Sequence, residues 1–326
     1  MSVPASPLVA CENVSVTFSR RRFIGRSPAV RAVSDVSLTI GRGEVLGVVG
    51  ESGSGKSTLG RLLLGLIKPT AGDVRFDGQS LIELDKAAWR GLRRRMQIVF
   101  QDPYGSLDPR RRIGAQIADG IVVHGLAPAA EAPARVAALL ALVGLDATHA
   151  ERYPHEFSGG QRQRIGIARA LSTGPDFLVA DEPVSSLDVS VQAQVLELLA
   201  NLRRDLGLAM LFISHDLPVV RHLSDRVIVM YLGRVMEEGP VDAVFRRPAH
   251  PYTRALHAAT PRLGTGQPVK RALLIGDPPS PSAPPSGCVF RTRCPHAADV
   301  CAGVVPALQK ISDGHRAACV RLSEIG

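Results

Sequence analysis

No apolar run in this chain approaches the roughly 18 residues that a membrane-crossing helix needs, although 45% of its 326 residues are hydrophobic. Aromatic residues are scarce, at 4%, and leave little material for a surface that stacks on bases. Met1 to Pro7 lack the basic and apolar regions of a signal peptide. The expectation is a cytosolic chain that meets a membrane only through a partner. Five cysteines without a secretion signal argue against a disulfide framework and leave metal ligation, cluster ligation or buried thiols. Acidic residues are in deficit, 30 Asp and Glu against 39 Lys and Arg, for a formal net charge of +9. Much of the excess lies at Arg20–Arg22, Arg93–Arg95 and Arg110–Arg112. Such clusters suit nucleic acid, anionic headgroups or an acidic partner. None is interleaved with aromatics, so a solvated basic surface is the reading and no nucleic acid is expected. The length favours one large core domain and a smaller appendage.

The most informative stretch runs from Gly47 to Thr58. An apolar strand, Val45 to Val49, enters a glycine-rich turn and leaves as a helix near Lys56, in the pattern G-x-x-x-x-G-K-[ST] filled by Gly50, Gly55, Lys56 and Ser57. Gly50, Gly53 and Gly55 permit backbone conformations and close approaches that a Cβ blocks. The N–H groups of the loop, which also contains Glu51, Ser52, Ser54 and Thr58, then form an anion nest at a helix N-terminus. Lys56 is expected to reach the β- and γ-phosphates of a nucleoside triphosphate, and Ser57 to ligate Mg²⁺.

The other motifs fall along the chain in order. Residues 8–18 and 36–40 read as strands of an antiparallel segment. Phe18 ends the first of them, either as a base-stacking residue or as a core phenylalanine. The strand Met96–Phe100 ends at Gln101, an amide that either faces a metal or water near the γ-phosphate or simply terminates the strand. Residues 113–145, Ala- and Leu-rich and periodic, predict an inserted helical subdomain over about 102–172. Ser158, Gly159, Gly160 and Gln161 open a further helix, a second N-terminus fit for a phosphate, and one nucleotide cannot easily use both. The apolar strand from Phe177 ends in Asp181 and Glu182. Neighbouring strand residues face opposite sides, so Asp181 suits a Mg²⁺ shell and Glu182 a general base acting on water. Asp188 lies in a turn before a long helix, and His215 follows the strand Ala209–Ile213, at the carboxyl end where open parallel sheets keep their ligand sites. Beyond about residue 240 the chain turns proline-rich, which marks the edge of the core.

Six of these stretches, in this order, resemble the ATP-binding subunits of ABC transporters: Walker A at Gly50–Thr58, the Q-loop at Gln101, the signature at Ser158–Gln161, Walker B at Phe177–Asp181 with Glu182, the D-loop at Ser186–Asp188 and the switch histidine at His215. The chain is most similar to the oligopeptide/dipeptide importer branch and its second, F-type ATPase subunit, on Val99–Pro109, Tyr153–Ser158, Ala180–Gln192 and His250–Arg254. The resemblance implies an α/β fold: a P-loop ABC ATPase core over 8–240, with an antiparallel β subdomain and an inserted α-helical subdomain, followed by a small Cys-containing extension over 241–326. It implies ATP hydrolysis with Mg²⁺ held by Ser57, Gln101 and Asp181, and with Glu182, His215 and Gln101 as catalytic residues. It further implies a heterodimer with a second, related ATPase subunit, in which Ser158–Gln161 and Asp188 meet the partner's ATP. Two transmembrane permease subunits and an extracytoplasmic substrate-binding protein complete the implied machine, at the cytoplasmic side of a bacterial cell membrane. Peptide is the implied cargo, with nickel or glutathione as other solutes that such subunits import.

Cys288, Cys294, Cys301 and Cys319 follow a Cys-x5-Cys-x6-Cys-x17-Cys spacing, unlike the paired C-x2-C of a zinc ribbon. Four thiolates can still meet around a metal or a cluster. Some relatives of this branch carry a [4Fe–4S] cluster at the matching cysteines, and zinc or free thiols are the alternatives. Cys11 reads as an ordinary buried thiol. A DNA-repair or chromosome-type ATPase would separate Walker A from the signature by a long coiled coil, but only about 100 residues intervene here and they lack heptads. A degenerate regulatory subunit would be expected to lack Glu182 or His215, and both are present.

Overall fold

A computed structural model describes residues 6–19, 29–259 and 276–325. The chain opens with β1 (Val9–Phe18) and β2 (Val30–Ile40), turns at Gly41–Gly43 into β3 (Val45–Val49), and passes through the glycine loop to α1 (Lys56–Leu63). It continues through β4 (Ala71–Phe76), β5 (Gln79–Ser80), α2 (Lys86–Arg95) and β6 (Met96–Val99). Three helices follow, α3 (Ile113–Val123), α4 (Ala132–Leu142) and α5 (Gly159–Leu171), and then β7 (Phe177–Asp181), α6 (Val189–Leu206) and β8 (Ala209–Ile213). The last stretch holds α7 (Leu217–Leu223), β9 (Arg226–Tyr231), β10 (Arg234–Pro240), α8 (Val241–Arg246) and α9 (Pro251–Ala259), with α10 (Val300–Gly303), β11 (Gln309–Ser312), β12 (His315–Ala317) and α11 (Leu322–Ile325) beyond. Among the described residues no helix is long and apolar enough to cross a membrane. The arginine cluster at 20–22 lies outside the described residues.

Two compact units share these elements. The first takes in the described residues of Met1–Val9, Ile40–Glu44 and Phe76–Ile213, the second those of Ala10–Thr39, Val45–Arg75 and Ser214–Gly326. In the first unit β6, β7 and β8 are parallel neighbours in that order, paired Val99 to Ala180 and Ala180 to Phe212. Every residue of β7 and β8 is buried, as expected of parallel strands covered on both faces. In the second unit β3 pairs parallel to β9, and β9, β10, β12 and β11 continue as antiparallel neighbours. A smaller sheet there runs β2–β1–β4.

Local chemistry sets the element ends. The α1 helix stops at Leu63, because Gly65 enters the left-handed region at φ 63°. Its N–H then donates to Leu62 O and that of Leu66 to Arg61 O, a Schellman closure. The α6 helix begins at Val189, since Asp188 caps it by accepting the Val191 N–H at 2.9 Å, and it ends on Gly207 at φ 62°. The β2 strand extends well before Val36, where the Ser34 N–H donates to Gly233 O at 2.8 Å. This hydrogen bond ties the antiparallel segment to the β9–β10 turn.

Candidate active site

The phosphate loop lies in the second unit, between the buried strand β3 and α1. Two of its glycines are dictated by space. A Cβ on Gly50 (φ 153°) would stand 2.2 Å from Met230 O, and one on Gly55 (φ 103°) would stand 2.2 Å from Ala32 O. Gly53 is also at positive φ, 77°, but has open space around it. Lys56 is buried, and its ammonium donates to Gly50 O at 2.8 Å and Glu51 O at 2.9 Å, so the cation lies against the loop's own carbonyls. Ser57 and Thr58 are half-buried in the first turn and Ser52 is exposed. The Ser54 hydroxyl is buried with no hydrogen-bond partner, a demand at the loop that the protein leaves unmet. No side chain caps α1, so its N-terminus keeps the character of an anion site.

Glu51 is held from outside the loop. Its N–H donates to Tyr252 Oη at 2.9 Å, and its carboxylate accepts two hydrogen bonds from Arg293, at 2.6 and 3.1 Å. Burial raises the Tyr252 hydroxyl's pKa above the usual tyrosine range, and the Glu51 carboxylate raises that of Arg293. His215 follows Ser214 after β8 and is exposed ahead of α7. Phe18 is 45% exposed at the end of β1, which rules out a core phenylalanine.

The carboxylates and the second glycine helix lie in the first unit. Asp181 is the last residue of β7 and is buried. Glu182 leaves the strand at φ 48°, a left-handed conformation that costs a non-glycine residue on the order of 1 kcal/mol. Its N–H donates to Ile213 O at 3.0 Å, which pins the kink to β8. Gln101 Nε2 donates to Glu182 Oε2 at 3.2 Å, so two motifs 81 residues apart meet. At α5, Ser158 Oγ accepts the Gln161 N–H at 3.3 Å while Gln161 Oε1 accepts the Ser158 N–H at 3.0 Å, a complete capping box. Gly159 and Gly160 follow directly, and a Cβ on Gly160 would meet Val191 Cγ1 at 2.2 Å. The signature therefore packs against the start of α6, the helix whose cap is Asp188. The Val191 N–H holds the Asp188 carboxyl below its ordinary pKa.

Cys288, Cys294, Cys301 and Cys319 line one pocket together with His250 and Phe290. Cys288 and Cys301 are buried and the other two half-buried. Burial pushes the Cys288 thiol up to about 11 and raises Cys294 and Cys319 as well. Among the described residues no group of three or more His, Cys, Asp or Glu is placed to hold a single metal ion. Cys11 is buried in β1, as expected of a core thiol.

Against known proteins, residues 33–185 match the ABC transporter family and residues 236–301 the oligopeptide/dipeptide transporter C-terminal region. A protein of Brucella ovis carrying the name peptide import ATP-binding protein is 53% identical over 308 residues, 94% of this chain and 97% of that one. The chain belongs to the ATP-binding subunits of ABC transporters. A second peptide import ATP-binding protein, from Brucella abortus, is 53% identical over 285 residues, 87% of this chain and 85% of the relative. Among solved structures, a dimeric ATP-binding cassette in a post-hydrolysis state with ADP and Pi is 30% identical with a TM-score of 0.64, over 72% of this chain and 98% of its own. A Clostridium perfringens cassette that is part of an ABC transporter complex is 29% identical with the same TM-score, over 74% and 91%.

An ABC subunit of this kind is an ATPase coupled to transport, and the α/β fold expected from the sequence is the fold observed. Residues that the motifs did not single out also shape the ABC site. Tyr252 and Arg293 hold Glu51, yet neither sits in a nucleotide-binding pattern, and no local signal links them to a loop some 200 residues away. In the first unit Arg162, buried one residue after the signature, stacks its guanidinium 3.7 Å from the Tyr104 ring centroid, just past Gln101. The Q-loop and signature helix of this ABC subunit are thereby in direct contact.

Proposed function

We propose that this ABC ATPase energises a peptide importer, and that residues 8–240 form its ATP-binding domain and 241–326 its importer-type extension. The observation that carries the cargo class is the 53% identity to peptide import ATP-binding proteins over 94% of the chain. ATP would enter the loop Gly50–Thr58, where Lys56 exchanges its bonds to Gly50 O and Glu51 O for phosphate oxygens and the Ser54 hydroxyl gains a partner. Ser57, Gln101 and Asp181 supply hard oxygen donors suited to Mg²⁺, which when bound offsets phosphate charge. Glu182, oriented by Gln101 Nε2, polarises the attacking water as general base, and His215 assists at the γ-phosphate. Phe18, exposed at the end of β1, stacks on the base.

The exposed Ser158 and Asp188, with Gly159, Gly160 and Gln161, belong to the ATP held by a second, related ATPase subunit. Two anion-receiving helix N-termini on one chain support that reading. Closure on ATP and reopening after hydrolysis form a two-state switch passed to two permease subunits at the cytoplasmic face of the membrane, with an extracytoplasmic binding protein delivering peptide. The four pocket cysteines fit the donor set of a [4Fe–4S] cluster, which spans more space than one ion. Anaerobic protein is expected to absorb near 400 nm, about where such clusters do, and colourless protein without iron refutes that part. The function itself is tested by reconstitution with the permeases. Peptide uptake that requires ATP is expected, and uptake of a metal ion instead overturns the cargo.

A further inference from the structure

The phosphate loop carries a residue that opposes its purpose. Glu51 places a carboxylate between Gly50 and Ser52, in a loop whose N–H groups and ammonium are arranged to attract anions. Left alone, that charge would repel the phosphates it borders. Its compensation comes from the C-terminal extension. Arg293, 242 residues later, donates Nη1 to Glu51 Oε2 at 2.6 Å and Nη2 to Oε1 at 3.1 Å, a two-pronged fork. The guanidinium-bearing side chain is only 5% exposed and that of Glu51 25%, so water screens the pair weakly. Tyr231 Oη accepts a further hydrogen bond from Arg293 at 3.3 Å, which fixes the fork from the β9 side.

The backbone of Glu51 is held as well. Its N–H is taken by Tyr252 Oη, and the rings of Tyr231, Tyr252 and Phe290 pack with centroids 4.8 to 5.3 Å apart beneath the fork. Two of the groups that grip Glu51, Tyr252 and Arg293, thus belong to the extension rather than to the ATP-binding motifs. We propose that the C-terminal extension is a working part of the nucleotide site, with Arg293 as a positioning residue that cancels the charge of Glu51 and holds the loop ready for phosphate. The proposal rests on the ATP-binding assignment and is independent of what the four thiols hold.

The test is equilibrium titration of the purified full-length chain with Mg-ATP, beside ATPase kinetics in the assembled complex. Arg293→Met is expected to weaken ATP binding about tenfold, ~1.4 kcal/mol, the order of one partly screened charge, with the loss falling on KM rather than kcat. Glu51→Gln alone leaves the guanidinium uncompensated and tightens binding about threefold by the same reasoning. The double variant should bind within about threefold of the wild type, because the repulsion leaves with the carboxylate. Wild-type affinity in Arg293→Met, or a double variant as weak as the single, overturns the proposal and leaves the pair a packing feature. Should Arg293→Met not fold, Arg293→Lys decides. Its single-point contact is expected to weaken binding about threefold, with Glu51→Gln again cancelling the deficit, and an unchanged affinity or an uncancelled deficit overturns the proposal. A wild-type chain that binds no ATP would instead break the ATP-binding assignment.

Discussion

Helices α1 and α5 both open on glycines and both turn a positive helix end toward solvent-facing loops, but they are finished in different ways. At α1 no side chain caps the N-terminus, Gly55 sits at φ 103°, and a buried lysine is tied to loop carbonyls while the Ser54 hydroxyl lacks a partner. At α5 the Ser158–Gln161 capping box satisfies two donors within the chain, and Gly160 is pressed against Val191. The first end carries unmet hydrogen-bonding capacity and its own cation, so it gains most from a bound phosphate. The second has two of its donors satisfied within the chain before any ligand arrives, so it gains less from one. A primary binding site and a secondary capping surface can therefore share the same helix physics and differ in how much of that capacity the chain itself has filled.

Experiments can break or sharpen this contrast. The largest effect is expected from Glu182→Gln, which keeps ATP bound at α1 while lowering turnover in the assembled complex roughly a thousandfold. Wild-type turnover would remove Glu182 from the chemistry. Gly55→Ala should follow, because its Cβ would strike Ala32 O, a backbone atom, at a φ that alanine resists. ATP affinity measured by titration is expected to fall about a hundredfold, ~3 kcal/mol, and unchanged affinity would mean that α1 is not the primary site. Gly160→Ala at α5 meets Val191 Cγ1, a branched side chain with little room to turn, and should lower thermal stability by about 1–2 kcal/mol with ATP binding to the isolated chain retained. Loss of binding there would erase the distinction between the two ends. Smallest is Ser158→Ala, expected to lower the melting free energy by ~1 kcal/mol without nucleotide, the usual worth of an N-cap. No change in the melt would show that the capping box stabilises nothing.

Much of this was legible in the residues themselves. The strand Val45–Val49, the apolar strand that ends at Asp181 and Glu182, and the helix opened by Ser158 are local patterns, set by periodicity and by side chains bonding their own neighbours, whereas the left-handed turn at Glu182 and the cap at Asp188 emerged only in the structure. For Gln101 the strand end allowed either a role near the γ-phosphate or a simple strand terminus, and the structure supplies a partner in Glu182. Less legible was the early part of β2, where Ser34 also finds Gly233 far along the chain. For Phe18 the residues allowed a core or an exposed role, and burial decided it.

Local sequence also determined the loop that receives phosphate, since its glycines, lysine and serines lie within nine residues, and the two carboxylates that end a fully apolar strand. Tertiary structure alone decided what surrounds them. Arg293 and Tyr252 reach Glu51 from the far end of the chain, Arg162 stacks on Tyr104, and four widely spaced cysteines line one pocket. Contacts of that separation depend on where packing carries each segment, and a single sequence holds no periodic or capping signal for them.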